Sequence, residues 1–251
     1  PGNQRVETDL GGVNMTGNVL LMQMEDLSGA ITDNSGMGNN GTVVGGVSYN
    51  NVGQVGKTLD FDGTDAYVNI SDSTSLDITN AITLTAWVKP NLMTCGAGGT
   101  CWPRIIEKSY SSDSQPYHMY ALVYGKDTDQ AKYKTVGMGI AGSGTVRETW
   151  STVQIPDNEW TFITGTFDGT SVTLYFNGLY ESQFNYTGTI DTNDLPVRIG
   201  KYGGGNGFFN GTIDEVGIWN RSFSAAEVLN MYKRGALRLN LSVRPCNDSL
   251  C

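Results

Sequence analysis

Carboxylates are the residues from which this chain of 251 amino acids could most readily build chemistry, since Asp and Glu total 25 against 16 Lys and Arg. They have two obvious uses: acid–base cleavage of a glycosidic bond, and oxygen ligation of a hard cation such as Ca²⁺. Retaining cleavage needs a nucleophile and an acid about 5 Å apart, which a strand supplies from alternate positions on one face. Asp214 and Glu215 are adjacent, so a regular strand turns them to opposite sides. Asp191 and Asp194 fall in a turn-like segment, and Asp127 and Asp129 in a polar loop beside Lys126. None of these makes a convincing pair. A Ser or Cys nucleophile would need a base, and His118 is the one histidine, inside a stretch (Tyr117-His-Met-Tyr-Ala-Leu-Val123) that alternates like a strand. It reads as a satisfied surface or cleft histidine, and the chain reads as a protein without catalysis.

The formal charge of −9 leaves no basic face to follow phosphates, which argues against nucleic acid as a partner. No apolar run is long enough to span a bilayer, and the chain opens at Pro1 without a signal peptide. The expectation is a processed mature protein or a piece of a longer one. Four cysteines fall in two close pairs, Cys95 with Cys101 and Cys246 with Cys251. Three pairings are formally possible, and the local one closes short loops in both cases. Zinc would need closer C-x₂-C spacing, so disulfides and an oxidising compartment are expected. N-x-S/T acceptor triplets begin at Asn14, Asn40, Asn69, Asn185, Asn210, Asn220, Asn240 and Asn247, which fits a secreted or cell-surface glycoprotein.

The elements that must position these groups read as many short strands. Gly 33 against Pro 7 and one convincing amphipathic helix favour an all-β fold. Residues 1 to 18 read as a polar leader. From Val19 the apolar rhythm begins, with Leu20, Met22 and Met24 on one face. Ile82, Leu84, Ala86 and Val88 alternate with Trp87 on the other side, and Asp168-Gly169 and Asn177-Gly178 signal two tight hairpins. A strand carrying inward Ile213, Val216 and Ile218 runs into a helix capped by Ser224 with Glu227 three residues on.

Five ordered stretches carry a resemblance. They are the Asp33-Asn-Ser-Gly-Met-Gly-Asn-Asn-Gly-Thr42 loop, Leu59-Asp-Phe-Asp-Gly with Asp65-Ala-Tyr-Val68, the Trp87-Val-Lys89 strand, Thr166-Phe-Asp-Gly169 through Leu174-Tyr-Phe-Asn-Gly178, and Ile213-Asp-Glu-Val216 leading to Ser224-Ala-Ala-Glu227. The chain resembles laminin-G-like domains of the concanavalin A-like lectin and glucanase class over about residues 19 to 235. The resemblance implies a two-sheet antiparallel jelly-roll sandwich with one short C-terminal helix that plugs an open end or edge. It says little about function, because the fold hosts unrelated activities. The glucanases of the class carry E-x-D-x-E on one strand, and that triplet is missing. Residues 236 to 251, with Leu237, Leu239, Leu241 and Val243 alternating, resemble the strand that follows such domains in large archaeal surface proteins. That segment is expected to open a further domain or to pair with a neighbouring subunit.

The resemblance also implies a structural Ca²⁺ joining the first-strand region to the last strand, with Asp214, Glu25, Asp33 and Asn39 as ligands. Trp87, Trp160 and Trp219 fall in the family's strand motifs and are expected in the core. Trp102, Tyr110, Tyr117 and Tyr202 lie where no motif reaches and are the candidates for a ring-stacking sugar platform. The expected function is extracellular recognition or adhesion through glycan or a cell-surface protein. The alternative is a subunit of a surface filament or layer that associates with copies of itself.

Overall fold

The computed structural model describes residues 14–91, 102–110, 114–125 and 132–236. Fifteen strands run in order: β1 (Asn18–Met22), β2 (Gly41–Val44), β3 (Ser48–Val52), β4 (Lys57–Asp62), β5 (Tyr67–Ile70), β6 (Ile82–Pro90), β7 (Arg104–Ser109) and β8 (His118–Tyr124). They continue with β9 (Val136–Gly142), β10 (Thr145–Trp150), β11 (Thr161–Phe167), β12 (Ser171–Phe176), β13 (Leu179–Asn185), β14 (Val197–Ile199) and β15 (Asn210–Trp219), which makes fifteen among the described residues, and helix α1 (Ala225–Ala236) follows. One sheet has the order β13-β12-β11-β6-β15-β4-β3, with β1 as an eighth strand on β15; the other runs β10-β9-β8-β7-β14-β5-β2. The pairings between strands are antiparallel. This is the jelly-roll sandwich that the sequence implies.

Alternation builds the core between the sheets. Ile82, Leu84, Ala86 and Val88 face inward from β6 and meet Leu122, Met138 and Ile140 from the opposite sheet in one buried cluster. Turn residues supply the corners: Gly169 and Gly178 sit at φ +91° and +80°, conformations that glycine adopts without steric cost. The Asp62-Gly63 turn crosses between sheets rather than closing a hairpin, because β4 and β5 lie in different layers. The Asp62 carboxylate accepts the amides of Thr64, Asp65 and Ala66 and so fixes that crossing.

Three features depart from expectation. First, α1 does not plug an open end. It lies across the outer face of the eight-stranded sheet, where Val228 and Met231 cluster with Trp87, Phe162, Trp219 and Phe223. Second, Asp214 and Glu215 do not point to opposite sides. A register shift falls between Asp214 and Gly217, and Glu215 takes φ +49°, so one extra residue lets Ile213, Val216 and Ile218 all reach the core. Third, β1 begins at Asn18, and the end of the leader is held down: Arg221 donates to the carbonyls of Thr16 (2.8 Å) and Asn14 (2.6 Å). The four cysteines, Asn240 and Asn247, and residues 237 to 251 lie outside the described residues. Of the other acceptor asparagines, Asn14, Asn40, Asn185 and Asn220 are exposed, while Asn69 and Asn210 are half-buried.

Candidate ligand-binding cleft

The outer face of the seven-stranded sheet carries a cleft of about 340 Å³, lined by Trp102, Arg104, Tyr117, His118, Val123, Lys132, Glu148, Trp150 and Tyr202. Strand β9, which turns Met138 and Ile140 inward, turns Gly137 and Gly139 outward, beneath the Trp150 and His118 rings of the lining. β10 pairs with β9 so that Trp150 stands opposite Gly137 and Glu148 opposite Gly139. A Cβ at Gly137 would lie 2.8 Å from the Trp150 indole, and one at Gly139 would lie 2.5 Å from His118 Nε2. Both rings therefore rest directly on backbone, and any larger residue would lift them into the cleft.

The walls combine rings with paired charges. Trp102 and Trp150 stand 5.7 Å apart at 55°, and Lys132 Nζ sits 4.1 Å over the Trp150 ring while bonding Glu148 at 3.2 Å. The buried Arg104 bonds Glu107 at 2.8 Å, donates to the Trp102 carbonyl at 2.7 Å and lies 4.3 Å over the Tyr202 ring. Burial pushes the Glu107 carboxyl up, against the opposing pull of Arg104. His118 is buried, and neither ring nitrogen has a hydrogen-bond partner among the described residues; nor does Trp150 Nε1. Desolvation, with the nearby Arg104 charge second, holds the imidazole pKa well below its ordinary value, so the ring is neutral.

Three of the four aromatic candidates, Trp102, Tyr117 and Tyr202, converge on this cleft. Tyr110 does not; it packs half-buried against the main core. His118 lines the cleft but is not the satisfied histidine of the sequence reading, because its neighbours on β9 are glycines with no side chain to meet it. Sequence reasoning missed Arg104, Lys132, Glu148 and Trp150. The available signal was Val136-Gly-Met-Gly-Ile140, in which alternate glycines clear one face of a strand for large side chains of its neighbours.

The expected calcium set separates into two. Asp33 accepts Leu21 N, Ser35 N, Ser35 Oγ and Asn39 N, and Asn39 donates to the Val19 carbonyl and Ser75. That pair organises the 33–40 loop, and four donors occupy the Asp33 carboxylate. Asp214 and Glu25 instead meet the 53–57 turn: Asp214 Oδ2 accepts Val55 N at 3.0 Å and Glu25 Oε1 accepts Lys57 N at 3.1 Å. The turn closes on both groups through glycines. A Cβ at Gly53 would lie 2.6 Å from Asp214 Oδ2, and one at Gly56 would collide with Glu25 Oε1. Asp214 is fully buried, and desolvation raises its pKa to about 8. Among the described residues, no group of three or more His, Cys, Asp or Glu side chains could hold a metal by itself, so any ion here would need backbone carbonyls as well.

Residues 62–229, more than half of the chain, match the Laminin_G_3 model of the concanavalin A-like lectin/glucanases superfamily. The chain belongs to this superfamily. No curated protein sequence matches this laminin-G-like chain. Among solved structures it is similar to the binding domain of Paraclostridial Mosquitocidal Protein 1, at TM-score 0.68 and 19% identity over 87% of this chain and 52% of that one. It is also similar to domain 4 of AbnA, a GH43 extracellular arabinanase from Geobacillus stearothermophilus solved in complex with arabinotriose, at TM-score 0.65 and 18% identity over 86% and 98%. The ligand binding domain of botulinum neurotoxin serotype D, solved in complex with N-acetylneuraminic acid, aligns at TM-score 0.63 and 14% identity over 89% and 52%. The chain thus spans about half the length of the two toxin domains and nearly all of the arabinanase domain. At these identities the likeness establishes the fold alone.

Proposed function

We propose that this laminin-G-like domain is a non-catalytic, extracellular recognition module that binds saccharide, free or carried on a cell-surface protein, in the cleft between Trp102, Trp150 and Tyr202. The observation that carries the reading is the cleft itself: about 340 Å³ walled by flat aromatic rings beside the charged side chains of Arg104, Lys132 and Glu148. Two of the structural neighbours were solved with saccharides, which supports the same reading. Hydrolysis finds no support, since Asp214 is fully buried and Glu215 adjoins a cavity of only about 10 Å³, too small for a sugar ring. Exposed acceptor triplets at Asn14, Asn40, Asn185 and Asn220 support a secreted or surface location, and no helix among the described residues is long and apolar enough to cross a membrane. A glycan array with the purified chain tests the proposal. A coherent sugar class is the expected result, and a blank array from folded protein would contradict it.

Calcium belongs to the same proposal. A cation fits the Asp214–Glu25 turn, where one carboxylate is fully buried and glycines bring the backbone against both carboxylates. Asp214 and Glu25 would supply charge, and carbonyls of the 53–57 turn would complete an oxygen set. The ion would neutralise Asp214 and tie β15 to the segment after β1. Asp214→Asn is expected to abolish a calcium-dependent rise in melting temperature and to leave the melting temperature in EDTA close to that of the parent; an equal drop in both conditions would contradict the site.

A second reading, self-association, is favoured by β13. This edge strand pairs only with β12 and exposes Leu179, Tyr180 and Phe184. Removing residues 237–251 would dissociate oligomers if that segment adds to a neighbouring edge, and would leave the elution volume unchanged if it does not.

A further inference from the structure

Resting on the reading of the cleft as a sugar site, we propose that its ligand is an anionic saccharide, a sugar ring bearing a carboxylate or sulfate, and that Lys132 is the residue that selects it. The chain as a whole is acidic, with a formal charge of −9, so most of its surface repels such a ligand. The cleft is charged the other way. Of the charged residues that line it, Arg104 and Lys132 are cations and Glu148 is the carboxylate. Two further cations extend the same outer face of the seven-stranded sheet. Arg198, between the inward Val197 and Ile199, stands across from Glu107 and donates to Ser109 Oγ at 3.2 Å, and Lys201 packs 4.6 Å over the Tyr67 ring.

The cations of the lining keep donors to spare. A guanidinium has five N–H donors and an ammonium three. Arg104 spends Nε on Glu107 at 2.8 Å and Nη1 on the Trp102 carbonyl at 2.7 Å, and Lys132 gives one bond, to Glu148 at 3.2 Å. An anionic group, which only accepts, can be added without breaking either pair. The two cations differ in reach. The Arg104 side chain is 4% exposed, stacked 4.3 Å over Tyr202, and acts through its field from behind; the Lys132 side chain is 31% exposed and is the one a ligand touches. Lys132 Nζ lies 4.1 Å over the Trp150 ring and 5.5 Å over the Trp102 ring. A sugar lodged among these rings has Nζ beside it, so an anionic substituent gains a charge-assisted hydrogen bond that a hydroxyl does not. Glu148, equally exposed, weakens that attraction and keeps Lys132 over the rings when the cleft is empty.

The experiment is isothermal titration of the purified chain with matched sugars that differ in charge: D-glucose against D-glucuronic acid and D-glucose 6-sulfate, and D-galactose against D-galacturonic acid, each at low and at high salt. The quantity read is the ratio of anionic to neutral affinity. A ratio of about ten or more in the parent, shrinking at high salt, is the expected result. Lys132→Gln is expected to bring the ratio close to one, Lys132→Arg to restore it, and Glu148→Gln to raise it severalfold. A variant that merely loosens Trp150 would weaken both members of a pair alike and leave the ratio where it was. Should Lys132→Gln fail to fold, Glu148→Gln and the salt dependence of the parent carry the same test. A ratio of one or less in the parent would overturn the anionic class yet leave the sugar site standing, and a ratio unmoved in Lys132→Gln would overturn the role of Lys132. No binding of any sugar would overturn the cleft's proposed function, and this inference with it.

Discussion

The two outer faces of the sandwich both carry aromatic side chains, and they have opposite fates. Over the eight-stranded sheet, Trp87 meets Phe162 at 5.1 Å and Tyr232 at 5.6 Å, and Trp219 meets Phe223 at 4.7 Å. Helix α1 covers these rings with Val228 and Met231 and leaves about 10 Å³. Over the seven-stranded sheet, Trp102 and Trp150 stand at a similar 5.7 Å, but they are held by Lys132 and the Arg104–Tyr202 stack, and about 340 Å³ stays open. Unpartnered polar atoms alone do not separate the faces, because Trp219 Nε1 is also buried without a partner. The His118 nitrogens and Trp150 Nε1 are equally buried; what differs is that the residues His118 and Trp150 line an open cleft and Trp219 does not. An aromatic face is core where the chain itself supplies apolar cover, and a candidate site where it supplies charge, glycine and room.

That contrast can be broken most directly by stability. Trp219→Ala, which empties the covered face, is expected to cost about 3–5 kcal/mol in a denaturant titration, whereas Trp150→Ala on the half-buried open face should cost about 1 kcal/mol or less. Similar costs for both would erase the distinction between core and cleft.

Acid pH sharpens the contrast from the cleft side. His118 is the one histidine, and its pKa is depressed by burial and by Arg104. As pH falls below about 6.5, the unfolded chain takes up a proton that the folded chain refuses, so stability should decline by up to about 1.4 kcal/mol per pH unit until the folded-state pKa is reached. Above that window the contribution is fully present. His118→Phe should flatten this part of the profile, and a parallel profile in both proteins would contradict the buried neutral imidazole.

The smallest effect concerns the cover. Glu227 N donates to the Ser224 hydroxyl oxygen at 3.3 Å, and the Glu227 carboxylate accepts Ser224 N at 2.9 Å, so Ser224→Ala should cost about 1 kcal/mol. Sugar binding on the opposite face should not change with it.

The covered face was the more legible of the two. The alternation of β6, the Asp-Gly and Asn-Gly corners and the Ser224 cap are local patterns that the structure repeats, and Trp87 and Trp219 are core as their strand motifs imply, with Trp160 packed against them. The open face depends on cross-strand register. Trp150 and His118 matter because they stand beside Gly137 and Gly139, and no single-strand pattern states which strands are neighbours. Trp102, Tyr117 and Tyr202 were legible only as aromatics outside the family motifs, and Tyr110, chosen on the same ground, packs on the core instead. The Glu215 bulge was hidden as well: Ile213 and Val216 are three apart, a spacing that regular alternation forbids and one extra residue restores. Of the residues expected to share one ion, Asp214 and Glu25 meet the 53–57 turn, while Asp33 and Asn39 belong to a different loop that consumes their hydrogen-bonding capacity.

The most direct test of the central claim, that the open aromatic face is the binding site, is titration of the parent and of a Trp102→Ala/Trp150→Ala double variant with the sugar class that the array identifies. Loss of affinity by about tenfold or more, with the urea midpoint nearly unmoved, is the predicted result. Unchanged affinity in a folded double variant would contradict the claim and place recognition elsewhere on the molecule.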